Sequence, residues 1–84
     1  PALKDYIAGK MERLERHLDD VVEAHVILTA QRARRHAEGK LLVNGGTLFA
    51  DAETDDMYAA VDAMLDKLDR QVRKRKGKRG HRQP

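Results

Sequence analysis

The chain has 84 residues, enough for one small domain, and it contains no cysteine, which excludes disulfide scaffolds, thiolate metal sites and thiol nucleophiles. Apolar residues make up 40% and charged residues 37%, which allows a thin core under a densely charged surface. The net charge of +3 hides an asymmetry: residues 70–84 hold eight cations and no acid, whereas residues 1–69 hold nine cations and 14 acids.

Pro1 suits the first turn of a helix, where its missing N–H would have no partner. Leu3, Ile7, Met11, Leu14 and Leu18 recur at helical spacing and predict a first helix over about 2–18. From Val21 to Thr29 the period changes to alternation. Val22, Ala24, Val26 and Leu28 take one side of a predicted strand, with that face buried. Gln31 to Arg35 is polar and basic and reads as a loop. A second strand is expected over 36–43, with Leu41 and Val43 on one face.

Asn44-Gly45-Gly46 follows, and Asn-Gly tolerates the positive φ angles of a tight hairpin. Thr47 to Ala52 then alternates as a third strand. Thr54, with Asp55 and Asp56 after it, predicts a helix start with a hydroxyl cap and acids near the positive end of the dipole. Met57, Val61, Met64, Leu65, Leu68 and Val72 form the apolar stripe of that second helix, which Gly77 and Gly80 are expected to end. The domain is therefore placed at 1–76, with 77–84 a basic flexible tail. Helix, strand, strand, strand, helix is the order of an α+β domain: an antiparallel sheet with both helices on one face.

Both helices segregate charge. In the first, Lys10, Arg13 and Arg16 flank the apolar stripe on one side and Glu12, Glu15 and Asp19 on the other. In the second, Lys67, Arg70 and Lys74 stand opposite Asp62, Asp66 and Asp69, in the same rotational sense. Intrahelical ion pairing accounts for part of this pattern, and most charge runs are simply solvated. The basic continuation from Arg73 to Arg82 favours a footprint for polyanions, with the rows of the two helices forming one positive surface. A lipid surface would require bulky apolar residues beside the cations, and none follows Val72. Tyr6, Phe49 and Tyr58 are the only aromatics, too few for base-stacking platforms, so contacts to phosphate and sugar are expected.

No catalytic constellation is visible. His17, His25, His36 and His81 lack metal-ligand spacing, and Asp62, Asp66 and Asp69 have no oxygen-ligand loop beside them. Thr29, Thr47 and Thr54 have no evident base. The glycine pair precedes a strand and is a turn, not a phosphate loop. Neither enzymatic activity nor a cofactor, metal or small-molecule substrate is expected. With no apolar run near the roughly 20 residues that span a bilayer and no basic-then-apolar leader, the expectation is a cytoplasmic protein with no membrane partner.

Val43-Asn44-Gly45-Gly46, then Ala50 and Ala52, then Asp56-Met57-Tyr58-Ala59-Ala60-Val61-Asp62, then Asp66-Lys67-Leu68 with Arg70-Gln71 and Lys74, resemble the bacterial ribosome hibernation-promoting factor and ribosome-associated inhibitor family. Pro1-Ala2-Leu3 leading into Lys10, Arg13-Leu14-Glu15 and Arg16 is similar to that family's first helix. The resemblance implies a β-α-β-β-β-α fold related to double-stranded-RNA-binding domains, with the first strand absent from this chain. It implies a partner in the small ribosomal subunit (16S rRNA) of the 70S ribosome, bound in the mRNA channel and the A- and P-site tRNA positions. Translation would be blocked and ribosomes stored in stationary phase, with a separate ribosome modulation factor pairing them into 100S dimers.

The family's basic positions match Lys10, Arg13, Arg16, Lys67, Arg70 and Lys74, and Arg73 extends the row. The absence of a linker and dimerisation domain resembles the family's short type, and the Arg-rich finish resembles its hibernation-promoting branch. Two other readings stay open: a generic duplex-RNA binder, and a protein-interaction module docking through the acidic stripes.

Overall fold

Helix α1 (Ala2–Glu15), strands β1 (Val21–Gln31), β2 (Arg34–Val43) and β3 (Gly46–Thr54), and helix α2 (Met57–His81) follow one another in the expected order. The computed structural model describes residues 2–81, with side chains as far as Arg75, so Pro1, residues 82–84 and the side chain of His81 lie outside the described residues.

The strands form one antiparallel sheet in the order β1-β2-β3. Val26 stands opposite Gly39 and Gly39 opposite Ala50, while Leu28, Ala37 and Ala52 make the next row. Alternation thus sends Ala37, Gly39, Leu41 and Val43 to one face, where the helices lie. Small residues there let α2 approach closely. Ala60, Val61, Met64, Leu68 and Val72 are fully buried on the sheet, and Ile7, Met11, Leu14 and Leu18 close the core from α1.

Both predicted helical stripes therefore form the core. The buried face expected of β1 forms only at Val26, which is half-buried against the core, whereas Val22 is 68% and Leu28 36% exposed. β1 is an edge strand pairing only with β2, and α1 rides above it without closing down. Leu3, Ile7 and Met11 of α1 and Ala24, Val26 and Leu28 of β1 line an open apolar groove of about 540 Å³. The other edge is covered. Gln71 accepts from the Phe49 N–H (3.1 Å) and donates to the Phe49 carbonyl (2.5 Å), and Lys67 donates to the Asp51 carbonyl (2.9 Å), which blocks the middle of β3.

Element ends depart from expectation for local reasons. α1 closes three residues early, because His17 and Leu18 bond back to the carbonyls of Leu14 and Glu15 in a tightened last turn. The cap of α2 is Asp56, not Thr54: the Asp56 carboxylate accepts from the Ala59 N–H (2.9 Å), while the Thr54 hydroxyl accepts from the Asp56 N–H (3.0 Å). At the other end α2 continues through Gly77 and Gly80 to His81. The basic loop shrinks to a two-residue turn, Arg32-Ala33, since Gln31 already pairs with Arg34. At the second hairpin only Gly45 takes a positive φ (82°), so a single left-handed residue makes that turn.

On the face of the sheet away from the helices, His36 lies 3.0 Å from Asp51 and 3.7 Å from Glu38. The hydrogen bond to Asp51 raises its pKa above the ordinary histidine value, against a partial desolvation that lowers it, and Glu38, Asp51 and Glu53 add to the rise. The stabilisation is therefore complete below about pH 6.5, the ordinary histidine value, and fades as pH rises through the raised one. Urea midpoints measured from pH 6 to 9 are expected to fall with pH in the wild type and to stay flatter in His36→Gln; parallel profiles would refute the coupling.

Candidate nucleic-acid interface

The two helices run side by side in the same direction. Tyr6 of α1 donates to the Asp62 carboxylate of α2 (2.5 Å) and packs edge-to-face on Tyr58, with centroids 5.5 Å apart at 68°. The hydrogen bond to Asp62 is the main cause of a raised Tyr6 pKa, followed by desolvation and the charge of the same carboxylate.

Parallel helices with the same rotational sense of charge bring unlike stripes together, and this corrects one sequence expectation. The basic side of α1 faces the acidic side of α2, not its basic side. Lys10 and Arg13 line a cleft of about 500 Å³ with Asp62, Asp66 and Asp69, joined by His17 and Arg73. Lys67 lies on the opposite flank of α2, against the β3 edge. The cations thus form two rims with an acidic strip between them.

The expected site residues differ in how free they are. Arg13 and Lys74 make no side-chain hydrogen bond or ion pair among the described residues. Lys10 sits over the Tyr6 ring, 5.5 Å from its centroid. Arg16, Arg70 and Arg73 pair one helical turn back with Glu12 (3.9 Å), Asp66 (2.9 Å) and Asp69 (2.8 Å), and all three arginine side chains are 73–76% exposed. Exposed pairs of this kind contribute only about 0.2–1 kcal/mol. They orient the guanidinium groups and cost little to break. Lys10, Arg13 and Arg16 share a shallow depression on the outer side of α1, which Arg13 links to the cleft.

Asp62, Asp66 and Asp69 are engaged by Tyr6, Arg70 and Arg73, respectively. Arg75, counted in the basic row by its charge, points elsewhere. It pairs with Asp20 (2.6 Å) and donates to the Asn44 carbonyl (3.1 Å), clasping α2 to the start of β1 and the second hairpin. Sequence spacing carried no signal for that clasp or for the edge contact of Lys67, since the partners lie far away along the chain. Among the described residues no cluster of His, Asp and Glu could hold a metal ion, and no helix is long and apolar enough to cross a membrane.

Comparison with known proteins agrees with this architecture. The family model described as sigma 54 modulation protein / S30EA ribosomal protein matches residues 1–80. The ribosome hibernation promoting factor of Azotobacter vinelandii is 46% identical over 82 residues, covering 98% of this chain and 77% of that protein. The factor of the same name from Escherichia coli K12 is 39% identical over 77 residues, covering 92% and 81%. Among solved structures, the N-terminal domain of Thermus thermophilus Protein Y superposes with a TM-score of 0.78 at 34% identity, covering 87% of this chain and 81% of that one. A ribosomal subunit interface protein from Coxiella burnetii gives 0.82 at 31% identity, covering 92% and 85%.

Proposed function

The chain belongs to the sigma 54 modulation protein / S30EA ribosomal protein family, and from that premise we propose that it is a cytoplasmic ribosome hibernation factor that silences translation by occupation. The folded body sits on 16S rRNA in the mRNA channel of the small subunit, across the A- and P-site tRNA positions, and excludes both ligands. Exclusion requires affinity and bulk, with no bond made or broken. In stationary phase the silenced 70S particles are stored, and a separate ribosome modulation factor pairs them as 100S dimers.

The observation that carries this reading is the pair of exposed basic rims. Arg13, Arg16, Arg70, Arg73 and Lys74 are anchored on rigid helices and held by nothing stronger than surface ion pairs. Phosphates neutralised along such rims release counterions, so the binding constant should fall steeply with salt. The cleft between the rims is charge-balanced, with Lys10, Arg13 and Arg73 against Asp62, Asp66 and Asp69, so phosphates are drawn to the exposed outer cations, which suits recognition of folded rRNA by shape.

Pelleting with purified 30S subunits tests it. The triple variant Arg13→Glu, Arg16→Glu, Lys74→Glu avoids Lys67, whose loss would also open the β3 edge. It is expected to lose binding by at least about tenfold at 100 mM salt while keeping the wild-type circular dichroism spectrum. Undiminished pelleting would overturn the site. Equal affinity for 30S subunits and free RNA hairpins would demote the protein to a generic duplex binder.

A further inference from the structure

The turn joining β1 to β2 combines two features that ordinarily exclude each other. Arg32, its first central residue, has φ +48°, the only non-glycine residue at positive φ among those described. Ala33 does not share that conformation, and a positive φ is the backbone region that favours glycine. An arginine there is backbone strain, and strained residues persist where the surrounding structure holds them and cluster at functional sites. The surroundings do hold it. Arg35 donates to the carbonyls of Arg32 (2.8 Å) and Arg34 (3.0 Å), closing the tip from inside. Arg34 is fixed across the sheet to the Glu53 carboxylate (2.8 Å) and reaches the Glu53 carbonyl (3.4 Å).

Two arginines thus brace the third, whose guanidinium is exposed and has no partner among the described residues. Arg32 borders a concavity of about 570 Å³ with Thr29, Gln31, Arg34, His36 and Glu53. Apart from the turn residue itself, these side chains belong to the face of the sheet opposite the helices. The charges facing the tip are accounted for: Glu53 is matched by Arg34, and Asp51 and Glu38 flank His36. Of the groups that border the concavity, Arg32 and Arg34 are cationic and Glu53 is the one acid, which leaves an excess positive charge there, with neutral hydrogen-bonding groups from Thr29 and Gln31 beside it. Guanidinium plus amide and hydroxyl is the equipment for a phosphodiester, and the surrounding polar rim offers no apolar socket for a protein anchor.

We propose that the tip of the β1–β2 hairpin is a second RNA-backbone contact, in which Arg32 takes a phosphate of ribosomal RNA on the side of the sheet away from the helices. This rests on the ribosome-binding reading and adds to it a hold from the opposite side. The helical rims engage one wall of rRNA and the hairpin tip a second, so the domain is gripped across its thickness.

Arg32→Gly is the informative variant because it removes the guanidinium while giving the turn the residue it favours. Its melting temperature is expected to match or exceed that of the wild type. Affinity for 30S subunits should fall about five- to tenfold, and the slope of log K against log salt should lose about one unit. Arg32→Lys should keep most of the affinity. Wild-type affinity and slope in Arg32→Gly would overturn the tip contact while leaving the helical site standing. A lowered melting temperature would overturn the strain argument on which it depends. A wild-type chain that fails to bind 30S subunits would instead refute the proposed function, and this contact with it.

Discussion

Replacing Gly39 with valine is expected to lower the melting temperature by about 10–20 °C, on the basis of about 2–3 kcal/mol for an overpacked core and 4–8 °C per kcal/mol in a domain of this size. Gly39 lies at the centre of β2, where α2 crosses the sheet. A Cβ built on it would fall 2.4 Å from the Met64 sulfur, 3.2 Å from its methyl carbon and 3.3 Å from Leu68 Cδ2. Met64 and Leu68 are both fully buried, so neither can swing into solvent. Gly39→Ala should cost less, because the flexible end of Met64 can yield to one carbon. Thermal melts of Gly39→Val, Met64→Ala and the double variant would detect the clash as non-additivity. Additive losses would place the cost elsewhere.

Loss of the Arg75 side chain should be comparably severe. The Asp20 side chain is only 8% exposed and that of Arg75 25%, with guanidinium and carboxylate 2.6 Å apart. Truncating one member of such a pair leaves a charge in a place of low dielectric, at a cost of about 2–4 kcal/mol once the partial exposure is allowed for. The Asn44 carbonyl loses its donor as well. Arg73→Ala, which breaks an exposed pair two residues away, should cost under about 1 kcal/mol. Chemical denaturation of the two single variants separates them, and equal midpoints would show that the clasp contributes nothing special. The contrast also divides the basic row: Arg73 is exposed and weakly paired, whereas Arg75 is a structural fastener.

That division marks the limit of what the sequence makes legible. Helical spacing located Ile7, Met11 and Leu14, and Val61, Met64 and Leu68, because burial of one helical face leaves a periodic trace. Alternation likewise located the three strands. The same alternation misjudged β1, since period two reports which residues share a face and not whether anything covers it. The stripes of Lys10, Arg13, Arg70 and Lys74 were legible as stripes. Their arrangement was not, because rotational sense on each helix fixes the juxtaposition only once the helices are known to be parallel. The pairs Tyr6–Asp62 and Asp20–Arg75 join residues more than fifty positions apart, and no local pattern encodes them. Asp56 displaced Thr54 as cap because Thr54 is drawn into the end of β3.

The unequal edges of the sheet have a consequence for how this fold can assemble. Growth of a fibril demands two adhesive borders on every unit, one to join and one to be joined. Here Gln71 and Lys67 occupy hydrogen-bonding groups along the middle of β3, so that border is closed to an added ribbon. With one of the two borders closed, edge-to-edge stacking of this sheet cannot propagate, whatever pairs along the other.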